Sequence, residues 1–350
     1  MSPSTPARVA AGHNEAVILV LHPSDELYGA DRVLLAVVDR MRQRQEVVVW
    51  LPTDVHYPTR GLSRELEAMG VVSRRLPLPV LRRAYANPRD VAAVASRTLR
   101  LGPLLRAVRP SEVYVNTSAL APAVRVASAL GIPTTLHVHE TWGSSERRVL
   151  TPMCTPADVV VTVGAATRTA LPEVLRRRAV IRRHSVTAQP EDPMRTREIR
   201  RRIGTTGPVV LCAGRWTPGK GIRHLLEALR GTGTHLLLLG GPPPSGEGVN
   251  VSEAIESAGV AAQVHVIGEV DDVWPYIYAC DAVAVPSVRP ESYPTIALEA
   301  HAAGRPVLAS DIGGLPEIVT TGRGWLVPPG DIPSLSERLA AVPVLVDLQQ

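Results

Sequence analysis

In the stretch VPSVRPESYPTIALEAHAAGRPVLASDIGGLPEIV, residues 285–319, two carboxylates bracket the start of a helix. Glu291 sits in a Pro- and Ser-rich loop and Glu299 inside the helical pattern. A helix amino terminus exposes unpaired N–H groups and a partial positive charge, so it attracts an anion rather than needing carboxylates of its own on both sides. Tyr293 precedes a proline and is biased away from helical angles, while Pro294 is well tolerated at the first helical position. The helix is therefore expected to begin at Pro294. Glu299 then lies five residues in, roughly 7–8 Å along the axis. A ligand with a diphosphate at the helix terminus would present one hydroxylated end to Glu291 and the other to Glu299. Nucleotide sugars have that layout.

A second segment supplies the cations that a diphosphate requires. GRWTPGKG, Gly214 to Gly221, follows a buried-strand pattern and opens the next helix. It is not a Walker loop, because GxxxxGK[ST] is absent. Arg215 and Lys220 flank a tight Pro-Gly turn, a spacing that lets both approach one diphosphate. Of the 38 basic residues 37 are Arg, and Lys220 is the single lysine of the chain. A bias that saturates the chain with Arg would have placed Arg there too, which sets Lys220 apart from a solvated surface cation.

The elements that must position these groups are short Val-, Leu- and Ile-rich runs alternating with amphipathic segments. In the first half they are AVILVLH (16–22), EVVVWL (46–51), VYVNT (113–117), TTLHVHE (134–140) and VVVTV (159–163). The second half begins again with PVVLCAG (208–214), THLLLLGG (234–241), VHVIG (264–268), DAVAVPS (281–287) and RPVLAS (305–310). This alternation predicts βαβ units and parallel sheets, hence an α/β chain of two Rossmann-like domains. The expected division is residues 1–15 as a disordered N-terminus, 16–183 as the first domain, 184–206 as a linker and 207–350 as the second domain. Ligands of open parallel sheets bind beyond the carboxyl ends of the strands, so two facing sheets make the interdomain cleft the reaction chamber.

Composition agrees with that class. The 350 residues are 45% hydrophobic but only 3% aromatic, with no Phe, so the cores are packed with aliphatic side chains, as buried parallel strands require. Cys154, Cys212 and Cys280 lack CxxC spacing and are odd in number, which points to small buried hydrophobes rather than disulfides or zinc. No apolar run approaches the roughly 18 residues of a membrane span, and MSPSTPARVAAGHNEA lacks the pattern of a signal peptide. A cytoplasmic protein is expected. Residues 1–190 carry a net charge of +10 and residues 191–350 a net charge of −5, so the halves have different electrostatic tasks.

The second half resembles, almost continuously, the retaining glycosyltransferases of family 4, which have the two-domain GT-B fold. The resemblance rests on GRWTPGKG, LLLLGG, VIGEVDDVWPYIYACDAVAVPS, PESYPTIALEAHAAGRPVLAS, GGLPEIV and GWLVPPGD in the family's order and spacing. It implies that Arg215 and Lys220 bind the donor diphosphate, Glu291 the sugar hydroxyls and Glu299 the ribose. Backbone N–H groups around Pro294, Thr295 and Ile296 would add phosphate contacts. In the first half, YGADRVLLAVV resembles the family's glycine-rich turn, with Gly29 close to phosphate and Ala30 where a second glycine is usual. LHVHET is similar to the strand end that carries a histidine facing the donor sugar, here His139, with His137 as the second choice. Where the family often has Asn-Gly before the linker, this chain has VIRRHSVTAQP. It also ends soon after IPSLSERLAAVPVLVDLQQ, earlier than relatives whose last helices cross back onto the first domain.

The function so implied is metal-independent transfer of a sugar, with retention, from a nucleoside diphosphate to an acceptor hydroxyl. Cell-envelope polysaccharide, glycolipid and specialised-metabolite synthesis are the settings implied. UDP is the default donor nucleotide, and no cofactor is called for. A non-catalytic nucleotide-sugar-binding regulator or partner subunit is the alternative. An NAD-dependent oxidoreductase fits tandem sheets but not HPSDELYGADR, which has no GxGxxG. SRRLPLPVLRRAYANPR (73–89) places Arg74, Arg75, Arg82, Arg83 and Arg89 around an apolar core. That pattern suits peripheral contact with an anionic membrane or an anionic, lipid-linked acceptor, and no nucleic-acid recognition motif accompanies it.

Overall fold

The computed structural model describes residues 16–57, 60–82 and 87–345. The expectations for residues 1–15, for Arg83 and for the last five residues therefore lie outside the described residues. Seven strands make the first sheet: β1 (Val17–Leu21), β2 (Glu46–Pro52), β3 (Val72–Leu76), β4 (Glu112–Val115), β5 (Thr134–Val138), β6 (Val159–Thr162) and β7 (Ala179–Ile181). Their spatial order is β3-β2-β1-β4-β5-β6-β7. The second sheet holds β8 (Val209–Ala213), β9 (His235–Leu239), β10 (Val264–Gly268), β11 (Ala282–Val285), β12 (Val307–Ser310) and β13 (Gly324–Val327) in the order β10-β9-β8-β11-β12-β13. All pairings are parallel.

Each sheet is built around a strand that is apolar at every position, β1 (VILVL) in the first and β8 (VVLCA) in the second. In β1, Leu19 and Leu21 enter one core, while Ile18 and Val20 enter the other with Leu34 and Val38 of the helix Gly29–Arg42. β8 repeats the device, with Val210 and Cys212 on one side and Val209 and Leu211 on the other. Side chains alternate across a strand, so an unbroken apolar run demands helices on both faces. All three cysteines are buried free thiols.

The sequence runs did not include β3, β7 and β13. All three are sheet edges, and β3 reads VSRRL, where one open side removes the need for continuous apolarity. The segment 184–206 is irregular only as far as Asp192. Its remainder holds the helix Pro193–Ile203, capped by the Asp192 carboxylate. Ile203 joins the second domain's core, and the buried Arg200 pairs with Asp281 at 2.9 Å. The second half of the expected linker is thus part of the second domain.

The basic stretch is also differently disposed. Leu78 and Val80, the expected apolar core of a docking surface, are buried in the first domain. Arg82 is held by Asp54 at 2.7 Å and Arg75 lies 3.7 Å from Asp25, which leaves Arg74 and Arg89 exposed. Among the described residues no helix is long and apolar enough to cross a membrane.

Candidate active site in the interdomain cleft

A cleft of about 970 Å³ separates the two sheets. Its walls are residues just past β1, β2 and β5 on one side and past β8, β9, β10 and β11 on the other. In each sheet the order runs outward in opposite directions from one neighbouring pair, β1 with β4 and β8 with β11, the position where parallel sheets open a crevice.

On the second-domain wall, two loops are laced together by backbone. Gly221 has φ 70°, and a Cβ there would lie 1.9 Å from the Pro286 carbonyl oxygen. The Val288 N–H donates to the Gly219 carbonyl at 2.9 Å. This brings Lys220 onto Glu291: Nζ donates to Oε1 at 2.6 Å, and Ser287 Oγ donates to the same oxygen at 2.6 Å. Burial opposes ionisation of Glu291, but the Lys220 charge and both hydrogen bonds override it and hold the carboxyl below its ordinary range. The diphosphate cation and the sugar-facing carboxylate, read from the sequence as separate contacts, are an ion pair here.

The helix beside them is Thr295–Ala302, with Pro294 as its extended N-cap, so it starts one residue later than expected. Proline has no N–H, and no side chain caps this end. Thr295 and Ile296 therefore offer the first N–H groups to the cleft that they line. Glu299, 7% exposed, lies a turn further on; burial raises its carboxyl's pKa, with Arg32 opposing. Arg215 lies with its guanidinium carbon 5.0 Å from the Tyr28 ring centroid and 3.6 Å from Glu26 Oε2.

On the first-domain wall, Gly29 is the first residue of its helix, and a Cβ there would meet Thr295 Oγ1 at 2.7 Å. Two helix amino termini thus face each other across the cleft. His139, just past β5, lines the cleft. His137 does not: it is buried within β5, with Nδ1 2.7 Å from the Tyr114 hydroxyl.

A hydrogen-bonded chain absent from the sequence reading fixes His139. Asp31 Oδ1 lies 2.6 Å from His22 Nε2 and also accepts from Ser24, while Oδ2 takes the Tyr28 N–H. A carboxylate only accepts, so the His22 proton sits on Nε2. Nδ1 then accepts from Asn116 Nδ2 at 3.0 Å, and Asn116 Oδ1 accepts from His139 Nε2 at 3.1 Å. Nδ1 of His139 is left with its lone pair. Burial, with His137, His22 and His184 nearby, holds His139 well below the ordinary histidine range, so the ring is neutral at pH 7. His22, Asp31 and Asn116 lie up to 94 residues apart, and only the β1–β4 pairing joins them.

Further contacts tie the domains around this site. Tyr28 donates to Glu269 at 2.6 Å, and Arg32 to the Asp271 carbonyl at 2.8 Å. At the other end, Glu317 accepts from the Ala165 and Ala166 N–H groups at 2.9 and 2.7 Å and pairs with Arg183 at 3.0 Å. Among the described residues no three His, Cys, Asp or Glu side chains are grouped to hold a metal.

Residues 195–342 match the family described as Glycosyl transferases group 1. The chain is 32% identical over 145 residues to a phosphatidyl-myo-inositol mannosyltransferase of Mycobacterium leprae, covering 39% of this chain and 37% of that protein. It is 30% identical over 233 residues to a GDP-mannose-dependent alpha-(1-6)-phosphatidylinositol monomannoside mannosyltransferase of Mycobacterium tuberculosis, covering 60% of each. These alignments span less than two thirds of either relative. Among solved structures, Anabaena HepE in complex with UDP-glucose superposes with TM-score 0.77 at 22% identity, covering 93% of this chain and 89% of that one. The chain has the GT-B fold, and its second domain matches the group 1 glycosyl transferases.

Proposed function

We propose that this cleft transfers a sugar from a nucleoside diphosphate to an acceptor hydroxyl, with retention of anomeric configuration and without a metal ion, as in family 4. One observation carries the reading. Lys220, Arg215 and the uncapped Thr295 helix terminus line the same cleft as Glu291 and Glu299, with Lys220 against Glu291. Positive charge brackets the place for a diphosphate, and carboxylates stand at either end for hydroxyls.

The reaction breaks the bond between the anomeric carbon and the diphosphate oxygen, and the electron pair leaves with the diphosphate. The acceptor oxygen bonds to the anomeric carbon and its proton passes to the departing diphosphate oxygen. Fixed cations and helix N–H groups aimed at the leaving oxygen are the electrostatic means of lowering that barrier. Lys220 passes from Glu291 to the diphosphate as the donor enters. Glu291 and the neutral His139, whose Nδ1 accepts, then hold the sugar's hydroxyls, while Glu299 accepts from the ribose.

UDP is the preferred donor nucleotide, on the strength of the UDP-glucose complex of HepE. The relatives' names support a polyol or lipid-linked acceptor in glycolipid synthesis. A hydrolysis and transfer screen over UDP-, GDP-, ADP- and TDP-sugars, with and without EDTA, tests the proposal. One nucleotide series should be turned over, and turnover should survive EDTA. Binding without turnover of any donor would favour a non-catalytic nucleotide-sugar-binding role.

A further inference from the structure

His184 lines the cleft just beyond β7, in the stretch where the sequence departs from the resembled family. Its ring meets Tyr293 edge-on, with centroids 5.2 Å apart at 88°. The preceding residue, Arg183, pairs with Glu317, which also accepts from the Ala165 and Ala166 N–H groups. The ring is therefore placed, not loose. Yet both Nδ1 and Nε2 are buried with no hydrogen-bond partner among the described residues.

A buried polar atom left unmet costs about 1–3 kcal/mol, and here two such atoms sit on one ring in a ligand-sized cleft. Burial lowers the His184 pKa to about 4, so at neutral pH the imidazole has one N–H donor and one lone-pair acceptor. A phosphate would satisfy only the donor. A hydroxyl both donates and accepts, and neighbouring hydroxyls on a sugar ring satisfy both nitrogens.

We propose that His184 is a specificity residue that reads hydroxyls of a sugar or polyol ring bound in the cleft. The inference rests on the function proposed above, and the ring belongs either to the transferred sugar or to the acceptor. The test uses the full chain and the nucleotide sugar that the wild type turns over fastest in the donor screen. His184→Phe keeps an aromatic ring against Tyr293 and removes both nitrogens, His184→Leu removes ring and nitrogens alike, and His184→Asn restores a donor and an acceptor.

Affinity for the matching nucleoside diphosphate should stay within about twofold in all three, which also reports that each is folded. If the ring is the donor's, His184→Phe and His184→Leu bind the nucleotide sugar about tenfold more weakly. If it is the acceptor's, donor affinity and donor hydrolysis are unchanged while the acceptor KM rises about tenfold. His184→Asn recovers part of the loss in either case. Wild-type donor affinity and acceptor KM in both His184→Phe and His184→Leu would overturn the inference. A wild type that binds no nucleotide sugar would instead overturn the functional reading on which it rests.

Discussion

Lys220 reaches Glu291 at 2.6 Å, so its charge is paired within the protein. Replacing it with Ala should weaken nucleoside diphosphate binding by about 1.5–3 kcal/mol, the range for a hydrogen bond to a charged group, and Lys220→Arg should do so more mildly. Calorimetric titration measures both, and undiminished affinity in Lys220→Ala would remove the residue from the site. Asp31 acts at a distance. Asp31→Asn leaves one acceptor oxygen and one NH2 where two oxygens stood, so either His22 or the Tyr28 N–H faces a donor and the chain to His139 loses its enforced proton positions. It should cost about 1–3 kcal/mol of stability and lower kcat, with nucleoside diphosphate affinity retained. Thermal melts and a kcat-against-pH profile check this, and an unchanged profile would make the chain merely structural. The carboxylates, the cations and His139 were legible as residue types at telling spacings. The chain behind His139 was not, because Asn116 and His22 become neighbours only when β4 pairs with β1.

Between residue and molecule stand the loops, and glycines decide their approach. A Cβ on Gly314 would lie 1.8 Å from the Ser292 carbonyl oxygen, and the Gly314 N–H donates to the Glu291 carbonyl at 2.7 Å. The pair in GGLPEIV thus buttresses the loop that carries Glu291. Gly314→Ala must displace that backbone, at a cost of about 1–3 kcal/mol. Sugar transfer should fall more steeply than nucleoside diphosphate affinity, since Glu291 moves while the Thr295 helix stays. Parallel kinetics and titration measure the two, and equal losses would contradict this division of labour. Central strands were legible because both faces are buried, whereas β3, β7 and β13 were hidden by their edge positions. The helix Pro193–Ile203 was hidden by its charge: five arginines give it a polar look, although one of them, Arg200, is its buried anchor.

For the whole molecule, the charge split between the halves meets across the cleft. Acidic second-domain residues receive first-domain donors in the Tyr28–Glu269 and Arg183–Glu317 contacts. Burial works against the Glu317 charge, but the Ala165 and Ala166 N–H groups and Arg183 outweigh it, and its pKa falls below the ordinary 4.5. A carboxylate with a lowered pKa adds stability to the contact above its ordinary pKa and loses it as pH falls through the lowered value. Glu317→Gln should therefore loosen this end of the cleft at neutral pH. Hydrogen exchange of the Ala165 and Ala166 amides should accelerate in the variant, and in the wild type only upon acidification below pH 4.5. Equal protection in variant and wild type would show that Glu317 does not fasten the domains.

The central claim is that one nucleotide sugar spans the cleft, with its nucleoside towards Glu299 and its sugar towards Glu291. Titration of the matching nucleoside diphosphate into Glu299→Gln and Glu291→Gln tests it most directly. Glu299→Gln should bind several-fold more weakly. Glu291→Gln, which releases Lys220 from its partner, should bind as tightly as the wild type or more so while losing sugar transfer. Equal weakening in both variants would contradict the two-ended arrangement.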